Sequence, residues 1–169
     1  MYRTNEIPQF TLEFAQEFLG DSYERKLAHN TYVHGPRASV TDGVGGRIYG
    51  YGVTLHQTMI YFVSDCGRFI RLDTRGWRSV TTRQRLQQLL PRATYSGSWS
   101  DDTRKAHGVN VRLSSEKGRW HIGAYCHDTN DHWWHPYSDG IVLDTQAPAC
   151  RPTLGSLKAS EYNLFATAS

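Results

Sequence analysis

Cysteine is sparse in this 169-residue chain, and the three present, Cys66, Cys126 and Cys150, lie far apart. An odd, scattered set supplies neither a disulfide framework nor a Cys-x-x-Cys zinc pair, so a reducing compartment is the simpler expectation. No apolar run approaches the ~20 residues of a membrane-spanning helix, and the opening MYRTNEIPQF lacks the apolar stretch of a signal peptide. A soluble protein inside the cell, with no membrane partner, is expected. No Gly-Lys-Ser or Gly-Lys-Thr follows the glycines of GPRASVTDGVGG (35–46), which excludes a P-loop. A dinucleotide fingerprint would need a helix after those glycines, whereas RIYGYGVTL looks extended. The Gly-x-Ser-x-Gly nucleophile elbow is missing as well.

Aromatic residues, by contrast, are plentiful at 12%, with five Trp and ten Tyr, and the apolar share is 38%. Such side chains carry large burial free energies and argue against disorder. The length suits one core. One α+β domain is expected over residues 1–145, followed by a loop-like or docked tail at 146–169 rich in Ala, Pro, Ser and Thr.

Net charge is +3 but unevenly spread. Residues 1–24 hold Glu6, Glu13, Glu17, Asp21 and Glu24 against Arg3, whereas residues 66–92 hold seven arginines against Asp73. The basic stretch could meet an anionic partner, could receive the acidic N-terminal segment, or could simply be solvated. Arginine's planar fork suits phosphate and carboxylate.

Hydrophobic spacing predicts the elements. TLEFAQEFLG reads as a short helix capped by Thr11 and stopped at Gly20. RKLAHNTYVHG reads as one strand and GPRASVTDGVGG as a loop. GVTLHQTMIYFV and RFIRLD read as two strands joined at Ser64–Gly67, with Asp65 and Gly67 suited to the turn. Thr81 and Gln84 form a capping-box pattern ahead of Leu86, Leu89 and Leu90, and Pro91 ends that helix. VNVRL and RWHIGAYC form a second hairpin around SSEKG, and DGIVLD is a last strand. The sum is an antiparallel sheet of two hairpins plus further strands, with one or two helices packed on a face.

Across GVTLHQTMIYFVSDCGRFIRLDTRGWRSVTTRQRLQQLLP and RWHIGAYCHDTNDHWWHPYSDGIVL the chain resembles a group of small uncharacterised tailed-bacteriophage proteins. The shared positions are Asn30, Thr31, Leu55, His56, Thr58, Gly67, Gly76, Trp77, Arg78, Val80, Thr81, Thr82, Arg85, Trp120, Asp139 and Gly140. The resemblance implies a phage origin, a host-cytoplasmic setting and a common scaffold, but no mechanism. The loop at 35–46 and the His-rich segment at 127–135 depart from it.

Three constellations carry candidate chemistry. Cys126, His127, Asp128, Asp131, His132 and His135 are ligand types for zinc or another divalent metal, set against the reading of an ordinary loop whose Trp133-Trp134 pair is an interaction surface. His56, taken to lie beside Thr54 and Thr58 on one strand face, is a candidate general base. The alternative is a histidine bonded to those hydroxyls. Trp77, Arg78, Thr81, Thr82, Arg83 and Arg85 at a helix start suit a phosphate and unpaired bases. Their structural alternative has Thr81 capping, Trp77 packed as core, and the arginines solvated or paired. The leading expectation is a non-enzymatic phage accessory protein that binds a macromolecule, a host or defence protein or a nucleic acid, through Trp77, Arg78, Arg83 and Arg85 with Trp133 and Trp134 as a second surface. A small enzyme acting on a nucleotide or nucleic-acid phosphate, and a minor virion component, are the other two. No cofactor is expected, and the sequence sets no oligomeric state.

Overall fold

A computed structural model describes residues 1–41 and 46–153. In chain order the elements are helix α1 (Leu12–Leu19), strands β1 (Glu24–Ala28), β2 (Thr31–Thr41), β3 (Arg47–Leu55), β4 (Thr58–Ser64) and β5 (Phe69–Leu72), helix α2 (Val80–Leu89), and strands β6 (Thr94–Ser96), β7 (Lys105–His107), β8 (Val109–Glu116), β9 (Arg119–Cys126), β10 (His132–Pro136) and β11 (Ile141–Asp144). β1 to β5 form an antiparallel meander that β11 extends at the β5 edge, giving six strands. β10-β9-β8 make a second sheet and β6-β7 a short ribbon. The fold is α+β, as expected.

Helix α1 forms where the apolar spacing and its caps agree. The Thr11 hydroxyl accepts from Phe14 N at 3.0 Å, and Gly20 turns the chain out with φ 55°. Helix α2 starts earlier than the Thr81–Gln84 pattern suggests, because Ser79 is the cap and its hydroxyl accepts from Thr82 N. Leu86, Leu89 and Leu90 are fully buried in the hydrophobic core. On the same helix Gln87 acts as a substitute strand: its amide donates to Val111 O and its carbonyl accepts from Leu113 N. The exposed edge of β8 is thereby paired, which removes a site for unwanted strand addition.

Two segments read as single strands are hairpins. RKLAHNTYVHG bends at His29-Asn30, and GVTLHQTMIYFV bends at His56-Gln57. Asn30 and His56 take left-handed φ of 52° and 57° at these two-residue turns, a conformation that Asn and His adopt more readily than most residues. Apolar residues run through both bends, so periodicity alone does not mark them. His56 N donates to Asn30 O at 2.7 Å, tying the turns together. The stretch predicted as a loop at 35–46 continues as strand to Thr41, interrupted by an irregularity between His34 and Ala38. The ring of Tyr51 lies where a side chain on Gly35 would stand, with Cδ1 at 2.4 Å from an added Cβ. Residues 42–45 of that stretch lie outside the described residues.

The hairpin around Ser64–Gly67, the β8–β9 hairpin and the last strand form as read, although the β8–β9 turn narrows to Lys117-Gly118. The 127–135 segment is a turn followed by β10 rather than a loop. Of the expected tail, Ala149 and Cys150 are buried in a short 3-10 turn, and residues 154–169 lie outside the described residues. No described helix is long and apolar enough to cross a membrane.

Candidate functional site

The loop between β5 and α2 carries the strongest site. Asp139, just ahead of β11, collects four hydrogen bonds: Oδ1 accepts from Thr74 N (2.8 Å), Thr74 Oγ1 (2.9 Å) and Tyr137 Oη (2.8 Å), and Oδ2 accepts from Gly76 N (3.0 Å). Asp73 adds a bond from Arg75 N, and Trp77 N donates to Thr74 O. Gly76 sits at φ 83°, where a side chain would be strained. Burial alone would raise the Asp139 carboxyl, but these hydrogen bonds outweigh it and hold the group below the usual carboxylate range. Burial, followed by the Asp139 charge, drives the Tyr137 phenol far above its ordinary value.

The clamp holds Trp77 outward at 73% exposure. The alternative reading of Trp77 as a core residue is therefore overturned: Gly76 and Trp77 stand on a tight turn whose backbone is held by hydrogen bonds, and the indole projects beyond it. Beside it the Arg78 guanidinium lies over the Tyr137 ring at 5.3 Å. Trp77, Arg78, Thr81 and Thr82 line a cleft of about 570 Å³ with His56 and Thr58 opposite and the apolar Leu55 and Ile60 also in its wall. The site thus joins the β3–β4 turn to the start of α2, two segments far apart in sequence.

His56 reaches this cleft from the turn, exposed, and not from a strand face between Thr54 and Thr58. Thr54 is engaged by another histidine: His34 Nε2 lies 2.8 Å from Thr54 Oγ1, and His34 Nδ1 lies 3.2 Å from Glu24. That Glu24–His34–Thr54 line crosses three strands and was invisible in the sequence, because its members are brought together only by the meander. Among the described residues no carboxylate lines the Trp77 cleft beside His56.

Arg83 and Arg85 part company with Trp77. Arg83 is half-buried, whereas Arg85 is 94% buried on another side of α2, since its exposure is 6%. Its Nη1 donates to Thr4 O at 3.0 Å and Gln88 Oε1 at 3.1 Å. Burial pulls its pKa below the ordinary arginine range. The basic stretch is not one continuous charged face: Arg68 is paired with Asp144 and Arg71 with Asp73. Among the described residues no ion pair joins an acid of residues 1–24 to an arginine of residues 66–92, so ion pairing does not dock the N-terminal segment there.

The His-rich segment is dispersed by its own strand geometry. Within β10, His132 and Trp134 face one way and Trp133 and His135 the other, because strand side chains alternate. His127 packs edge-on against Tyr125, Asp128 faces His107 at 3.5 Å, and Asp131 accepts from Thr129. Among the described residues no group of three or more His, Cys, Asp or Glu side chains could hold a metal ion. Trp133 donates its indole N–H to Ala149 O at 2.7 Å and packs on the core. Trp134, 58% exposed, covers Gly123 and stacks on His121 with an interplanar angle of 5°.

Compared with known protein families, curated proteins and solved structures, the chain matches none.

Proposed function

We propose that this chain is a phage accessory protein that works by binding rather than by catalysis, and that its partner is a nucleic acid with unpaired bases held at the Trp77–Arg78 cleft. The observation that carries this reading is an indole 73% exposed on a loop fixed by three hydrogen bonds to Asp139, from Thr74 N, Thr74 Oγ1 and Gly76 N. A fixed aromatic costs little to order on binding, and base stacking on such a ring with a guanidinium beside it is the usual means of holding single strands. Among the described residues the titratable groups in the cleft wall are His56 and Arg78, and the Arg78 guanidinium suits a phosphodiester chain.

The test is fluorescence anisotropy with labelled single-stranded DNA and RNA at several salt concentrations. The expected result is binding that weakens with salt and drops about tenfold or more in Trp77→Ala, in line with the value of one stacked base. An affinity equal in wild type and Trp77→Ala, or no binding at low salt, would overturn the reading.

A further inference from the structure

On the other side of Thr81 lies a second cleft, of about 680 Å³, whose wall includes Asn5, His29, Gln84, Arg85 and Gln88. Among the described residues none of those lining it is acidic. Arg85 is the unusual member. Its exposure is 6%, and no carboxylate pairs with it among the described residues. Both of its hydrogen bonds leave from Nη1, to neutral oxygens of Thr4 and Gln88. Nε is buried with no partner.

A buried cation without a counter-charge is costly, and an orphaned buried donor adds to that cost. Holding Thr4 and Gln88 explains Nη1 but neither the charge nor the empty Nε. In a guanidinium, Nε–H and one Nη2–H point the same way and form the edge that grips two oxygens of one carboxylate or phosphate. Among the described residues no hydrogen bond leaves from that edge.

We infer that Arg85 is the centre of an oxyanion site that takes a phosphate group through its Nε and Nη2 edge, with Gln84 as a flexible neutral donor beside it. The ligand supplies the missing counter-charge and the missing acceptor together. This site stands on different residues from the Trp77 cleft, although both clefts share Thr81 in their walls.

The experiment is an NMR titration of the intact chain with inorganic phosphate at constant ionic strength, following the arginine Nε–H resonances. The Arg85 signal is assigned by its loss in Arg85→Lys. A saturable shift of that resonance is expected, with affinity at least about tenfold weaker in Arg85→Lys, because an ammonium cannot present two parallel donors. No saturable shift in the wild-type chain overturns the inference whether or not the variant folds. Equal affinity in a folded Arg85→Lys protein does so too. Repeating the titration with dimethyl phosphate identifies the source: saturation by both probes assigns the site to a nucleic-acid backbone, and saturation by inorganic phosphate alone to a phosphate monoester. Trp77→Ala should leave the phosphate titration unchanged, so failure of the oligonucleotide reading is separable from failure of this one.

Discussion

The loop at 73–79 and the segment at 127–136 both set tryptophan among polar and basic residues, yet the fold uses them in opposite ways. In the second, Trp133 turns its N–H to Ala149 O and its ring to the core, and Trp134 covers the bare backbone of Gly123. Their ring surface serves the β9–β10 pair. In the first, the polar work is done by Asp139 from a distant part of the chain, and Trp77 is left with nothing to do inside the fold. Composition does not separate these cases; tracing each hydrogen bond to its partner does.

The comparison breaks hardest at Asp139. Asp139→Ala removes the acceptor for Thr74 N, Thr74 Oγ1, Tyr137 Oη and Gly76 N, and Thr74 is wholly buried. A loss of about 3 kcal/mol in urea unfolding is expected, and oligonucleotide affinity should fall with it as the loop loosens. A stability change near zero would show that the loop is held by something else. The same carboxyl sets an acid dependence. Its folded pKa is lowered, so its contribution is present above the unfolded value near 4 and is lost as the pH falls through the folded value. Asp139→Asn should flatten that part of the stability curve, read by denaturant midpoints across the acid range.

Gly123 tests the other half. An added Cβ would meet Trp134 Cε3 at 2.2 Å and Trp133 O at 2.7 Å. Gly123→Val should cost about 2 kcal/mol by displacing both and should change the tryptophan emission. Wild-type stability in that variant would mean that Trp134 does not rest on the strand. Trp77→Ala lies at the small end for stability, within about 0.5 kcal/mol, because its indole is not part of the core.

Much of the scaffold was legible. Thr11 and Gly20 bound α1 because cap chemistry and apolar spacing agree there, and the leucine stripe of α2 is buried as its period requires. The two histidine-containing turns were not, because Val, Thr and Leu continue on each side of them and neither holds Gly or Pro. An Asn at position 30 was the available signal, since Asn tolerates left-handed backbone. At the site, Trp77 and Arg78 were legible as a pair, but their exposure depends on Asp139, more than sixty positions away. Arg85 was grouped with them by sequence proximity, whereas the helical turn carries it to another cleft.

The most direct measurement compares three proteins by anisotropy on one single-stranded oligonucleotide: wild type, Trp77→Ala and Trp134→Ala, each with its denaturation midpoint recorded. The account predicts that Trp77→Ala keeps its midpoint and loses about tenfold or more in affinity, while Trp134→Ala loses stability and keeps its affinity per folded molecule. Equal binding by wild type and Trp77→Ala, or a loss confined to Trp134→Ala, would contradict it.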